Sequence, residues 1–134
     1  MIYIIVGVAG ILGALSRYYL GLTIHTSWHH SFPLGTLLIN LAGCFLLAWL
    51  TTYIARRNIL PSEIITGIGT GFIGSFTTFS TFSVETVQLI HHSEWGTAFL
   101  YVLCSILGGL IISGLGYTLG DFLIKESLTE GDHI

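Results

Sequence analysis

Gly74-Ser75-Phe76-Thr77-Thr78-Phe79-Ser80-Thr81-Phe82-Ser83 is dense in hydroxyls, yet it lies in a stretch from Ile64 to Val84 that contains no Asp, Glu, Lys or Arg. Gly67, Gly69, Gly71 and Gly74 precede or open it, and Gly67 and Gly71, four apart, permit close helix contact in a membrane. Two readings stay open. One is an intact helix whose Ser and Thr side chains bond back to their own carbonyls. The other is a helix interrupted after Gly74, whose freed backbone groups must be satisfied by protein, an ion or a water-lined cavity. Paired half-helices of that kind commonly build ion sites in transporters.

The rest of the chain has the same apolar character. Of its 134 residues 52% are hydrophobic and only 8% charged, and the mean hydropathy is +0.83. A soluble domain carries about 25% charged residues, so this composition cannot cover a water-facing surface. Charges are also absent before Arg17, between Tyr18 and Ala55, and between Trp95 and Gly120. About 20 apolar residues cross the hydrocarbon of a bilayer. The expectation is therefore one all-α membrane domain over 1–134, with four transmembrane helices at about 2–22, 33–54, 62–89 and 96–124 and a polar tail over 125–134. Pro33 suits a first helical turn. Met1 to Leu22 reads as the first span, not as a cleaved leader.

Several classes are excluded. The net charge is −3 with His neutral, and Arg17, Arg56, Arg57 and Lys125 form no clustered basic surface, which argues against nucleic acid. Arg56, Arg57 and Lys125 fall on one side and Arg17 near the other, a weak bias that permits either insertion direction. No His lies within an apolar span to activate a serine, and no Gly-rich loop ends in Lys to cradle phosphate, so an enzyme is not expected. Cys44 and Cys104 read as packing residues. The spacing of His25, His29 and His30 suits a metal poorly without a neighbouring carboxylate or Cys.

Candidate site residues are polar but mostly uncharged. Asn40 is central in the second span, on one face with Thr36 and Gly43. It serves either as interhelical glue, the commoner role, or as an anion donor. Phe79 and Phe82 are three apart, and their ring edges carry partial positive charge. Ser80 and Thr81 add hydroxyls. Arg17 is either a snorkelling anchor or a lure for anions in a vestibule. Glu85 is an intramembrane carboxylate, hence a functional candidate or a residue at the membrane edge. Tyr101 and Ser105 share a face of the fourth span. Amide, hydroxyl and ring-edge groups can replace the water of a small anion without trapping it.

Three motifs together, Gly10-Ile-Leu-Gly-Ala-Leu-Ser-Arg17-Tyr18, Pro33-Leu-Gly-Thr36-Leu-Leu-Ile-Asn40-Leu-Ala-Gly43 and Gly71-Phe-Ile-Gly74-Ser-Phe-Thr77-Thr78-Phe79-Ser80-Thr81-Phe82, closely resemble the Fluc/CrcB fluoride channels, in order and over essentially the whole chain. The resemblance implies an antiparallel, dual-topology homodimer in the cell membrane with two fluoride pores, exporting fluoride passively and relieving its toxicity. It makes Asn40, Phe79 and Phe82 pore residues, Ser80 and Thr81 the polar track, and Thr36 and Ser105 further contributors. It places Gly74 and Thr77 at the helix break, where backbone carbonyls hold a structural Na+ on the dimer axis, and Arg17 at the vestibule. Gly109 stands where some relatives carry another hydroxyl. The rival reading is a small multidrug exporter. That chemistry uses a carboxylate in the first span, where this chain has none.

Overall fold

Apolar helices with unbroken backbone hydrogen bonding are the structures this sequence can place in lipid, and the computed structural model, which describes residues 1–131, is helical nearly throughout. Helix α1 covers Ile2–Ser27. Helix α2 covers Leu34–Trp49 and continues through a wider π-type turn at Leu50–Ile54. Pro33 stands just outside α2 as its N-cap, with φ −77°. Helix α3 is composite, running through Ser62–Thr66, a π-type segment Gly67–Ile73 and a last turn Gly74–Phe76. Thr77 and Thr78 are extended, and α4 resumes at Phe79–His91. Helix α5 covers Trp95–Gly131.

Among the described residues three segments, Ile2–Ser27, Leu34–Ile54 and Trp95–Ser127, are long and apolar enough to cross a membrane. Neither α3 nor α4 is, since at about 1.5 Å per residue each falls short of the hydrocarbon thickness. The third span, expected over 62–89 with a break after Gly74, is two short helices joined at an extended corner at Thr77 and Thr78. Helix α5 runs past the expected end near Ile124, through the start of the polar tail, to Gly131. Asp121 and Lys125 pair at 2.9 Å across one helical turn, the spacing that supports a helix end. The tail's last residues, 132–134, lie outside the described residues.

The helices pack in two long pairs, α1 with α3 and α2 with α5, and α4 closes against α5. Glycine makes both pairs possible. A Cβ on Gly13 would strike the Phe72 carbonyl oxygen, and one on Gly71 would sit 2.7 Å from the Val6 oxygen. On the other pair, a Cβ on Gly116 would lie 2.6 Å from the Phe45 oxygen, and one on Gly120 2.9 Å from Thr52. Without a hydrophobic drive between helices in lipid, such close backbone approach gives the packing contact that holds them. A small core of Leu37, Leu89, Ala98 and Tyr101 joins α2, α4 and α5, with Phe32 and Phe82 against it.

Much of the apolar surface faces outward. Tyr3, Ile4, Ile11, Phe99, Leu110 and Ile111 are all exposed. In water such a surface would drive aggregation; in lipid it is the expected exterior. At one end Arg56 reaches Asp121 at 3.8 Å and lies over the Tyr117 ring. At the other, the indole N–H of Trp28 donates to the Phe32 carbonyl at 2.8 Å and closes the α1–α2 connection.

Gly13→Ala is expected to destabilise the protein by about 1–3 kcal/mol through overpacking against backbone. Gly7→Ala, where a Cβ meets nothing within 4 Å, is the control. Thermal melting in detergent should show a lowered midpoint for the first and none for the second.

Candidate functional site

The corner between α3 and α4 organises the site. The hydrogen-bond ladder of α3 ends where the Thr77 N–H reaches the Ile73 carbonyl at 3.0 Å. Thr77 then turns extended, at ψ 157°, and so does Thr78, at φ −147° and ψ 123°. The Thr78 N–H donates to Asn40 Oδ1 at 2.8 Å, and the Thr78 carbonyl accepts from Asn40 Nδ2 at 3.0 Å. A backbone N–H only donates and a carbonyl only accepts, so this pairing also fixes which way the amide faces. The Asn40 side chain thus serves the backbone that the break exposes, which is the glue role. One amide N–H is left over among the described residues, and Asn40 also lines a cavity.

Thr78, which the motif contains but the sequence did not single out, is the hub. Its hydroxyl accepts from the Thr81 N–H at 3.2 Å and caps α4, donates to Thr81 Oγ1 at 3.0 Å, and lies 3.3 Å from Ser80 Oγ. A Thr just before a helix start is a recognised N-cap, and that signal was available in the sequence.

Two cavities meet at this corner, and Thr78 lines both. The first, about 420 Å³, is walled by Asn40, Gly74, Thr77, Phe79, Phe82 and Ser105. None of its lining residues is charged. Phe79 is 79% exposed on its rim. The two rings stand 5.9 Å apart, tilted by 38°, and Phe82 rests on Tyr101 at 5.1 Å. Ser105 donates its hydroxyl back to the Tyr101 carbonyl at 2.8 Å, so it presents its oxygen to the cavity with the proton engaged elsewhere.

The second cavity is larger, about 810 Å³, and the more polar of the two; it reaches from the corner to the end of the bundle. Thr36, Thr81, Glu85 and Arg17 line it. Glu85 is anchored on both oxygens. Thr36 donates to Oε1 at 2.8 Å and the fully buried Tyr101 donates to Oε2 at 2.7 Å, joining α2, α4 and α5. The sequence offered these three residues separately and gave no sign that they converge. Ser80 is exposed and lines neither cavity. Among the described residues no group of three or more His, Cys, Asp or Glu can hold a metal, and both cysteines are free. Any cation here would depend on backbone oxygen. Gly74 fits that role: the Thr78 N–H, its expected helical donor, is turned to Asn40.

A family model described as CrcB-like protein, Camphor Resistance (CrcB), matches residues 4–117. The fluoride-specific ion channel FluC 1 of Bacillus cereus is 87% identical over 134 residues, which is 100% of this chain and 98% of that one. FluC 1 of Bacillus anthracis is 85% identical over the same coverage. FluC 2 of Geobacillus kaustophilus is 46% identical over 128 residues, 96% of this chain and 99% of that one.

Asn40→Ala leaves the Thr78 N–H and carbonyl without partners. At about 1–3 kcal/mol for each buried group, the expected loss is about 2–6 kcal/mol. Ser105→Ala, which removes only a bond within one helix turn, should cost under about 1 kcal/mol. Thermal unfolding of the two variants side by side measures the difference.

Proposed function

The chain belongs to the CrcB family, and from that membership and the lined corner between α3 and α4 we infer that it is the subunit of a fluoride-selective channel. The observation that carries this is that two cavities, one uncharged and one lined by charged and hydroxyl side chains, share Thr78 as a wall. Fluoride enters through the polar cavity, past Arg17, Thr36 and Thr81, and crosses the corner beside Asn40, Ser105 and the edges of Phe79 and Phe82. Ser80, exposed on the first turn of α4 and lining neither cavity, is not part of the route within one chain. Conduction needs groups that replace the ion's water yet release it. The Asn40 amide, the Thr81 hydroxyl and the ring edges do so, with no ammonium or guanidinium lining the uncharged cavity.

One chain leaves this route open: Phe79, on the rim of the uncharged cavity, is largely exposed. A second copy closes it. The assembly we infer is an antiparallel homodimer in the cell membrane, with four crossings per chain, the third made of α3 and α4 together. Two copies of the corner then face each other across a two-fold axis. The carbonyls of Gly74 and Thr77 are the residues that would hold a Na+ there, since oxygen ligands suit a hard cation. A bound cation would tie the two corners together. Transport is passive, and its physiological effect is export of accumulated fluoride, protecting the cell.

Fluoride efflux from proteoliposomes tests the reading. Wild-type protein should release fluoride and leave chloride behind. Phe79→Ile and Phe82→Ile, which keep bulk but remove the electropositive ring edge, should each lower fluoride efflux at least about tenfold, or about 1.4 kcal/mol in the barrier. Equal fluoride and chloride release by the wild type would sink the selectivity assignment. Unchanged efflux in both variants would take the rings out of the mechanism.

A further inference from the structure

The polar cavity has a rim that the conduction route does not use. His25 from the last turn of α1, His30 from the α1–α2 connection and His92 just after α4 all line it. The end of α1 with the connection after it, and the distant residue after α4, thus bring imidazoles to one opening. The connection is held in place: Trp28, itself lining the cavity, donates to the Phe32 carbonyl and packs edge-to-face with His30 at 4.8 Å.

The other titratable or charged groups lining the cavity are Arg17 and Tyr18 from α1, Glu85 from α4 and Glu94 from the α4–α5 turn. With the imidazoles neutral, one guanidinium faces two carboxylates and the mouth is negative by one charge. With all three protonated it is positive by two. Histidine is the side chain that ordinarily changes charge between about pH 5 and 8. Protonating the three imidazoles reverses the sign of the mouth.

We propose that His25, His30 and His92 form a proton-sensitive anion funnel, which makes the polar cavity repel anions at neutral pH and gather them in mild acid. Charged, partly enclosed openings concentrate counter-ions and raise their arrival rate. Its consequence for transport rests on the fluoride-channel reading: acid on the side of the mouth raises the rate at which fluoride reaches Thr36 and Thr81. The funnel itself does not depend on that reading, because any small anion senses it.

The test uses Trp28 as a reporter. In a W49F/W95F background it is the sole tryptophan of the chain. Its fluorescence is quenched with iodide, an anion, and with acrylamide, which is neutral, at about pH 7.5 and about pH 5.5 in low salt. The iodide-to-acrylamide ratio of quenching slopes should rise at least about twofold on acidification and lose that rise in high salt. H25Q/H30Q/H92Q in the same background should show no rise. A rise that persists in this triple variant, or no rise in the parent, overturns the proposal. Fluoride current through otherwise wild-type protein in planar bilayers should rise at least about twofold over the same pH step, and the triple variant should not. Absence of current at both pH values would count against the channel reading alone, and the quenching ratio would still decide the funnel.

Discussion

The reciprocal pair of hydrogen bonds between the Asn40 amide and the backbone of Thr78 is the constraint on which the rest depends. An unpaired peptide group in hydrocarbon costs several kcal/mol, so a membrane helix cannot simply stop in the middle. Asn40 supplies one acceptor and one donor in the order that Thr78 needs. With those bonds made, two extended residues can stand where a helical turn would otherwise be. The Thr78 hydroxyl then starts α4, and the chain leaves the corner in a direction that puts Phe79 and Phe82 beside Asn40.

Close packing is the second requirement. The corner can meet α2 only if the helix backbones approach closely, and Gly43 marks the place. A Cβ there would collide with the Thr77 side chain. Gly43 lies just under one turn beyond Asn40, so one face of α2 offers both the amide that satisfies the break and the gap into which the break fits. The Gly67–Ile73 segment does the same work toward α1, where its wide π-type turn places Gly67 and Gly71 against Ile5, Val6 and Ala9.

Much of this could be read from the sequence, and the part that could not has one cause. The charge-free stretches located the apolar helices, because membrane burial is a composition-level constraint. The hydroxyl cluster after Gly74 raised a break without deciding for it. Local sequence could not decide, since the bond that permits the extended corner comes from 38 positions away. Asn40 had two open roles for the same reason, and the structure gives it the bracing role while leaving it on the cavity wall. The Thr36–Glu85–Tyr101 network was equally hidden. Each residue was conspicuous alone, but only the packing of α2, α4 and α5 brings the hydroxyls to the carboxylate. The extension of α5 has a local signal, the i, i+4 spacing of Asp121 and Lys125.

The position of Glu85 bears on how an anion route tolerates a carboxylate at all. Both its oxygens are turned to hydroxyl donors, and the donors come from opposite sides, α2 and α5. Glu85 lines the larger cavity but not the uncharged one, so its charge lies on the larger cavity's side of the corner. Charge is thereby kept off the walls of the uncharged cavity. Where water screens them, charged groups set how often an anion arrives. Beyond Thr78 the walls are amide, hydroxyl, thiol and hydrocarbon. There any full charge would act at low dielectric and either hold the ion or exclude it. A route that must be both selective and fast is best served by that division, and the break that Asn40 braces is the boundary between its two halves.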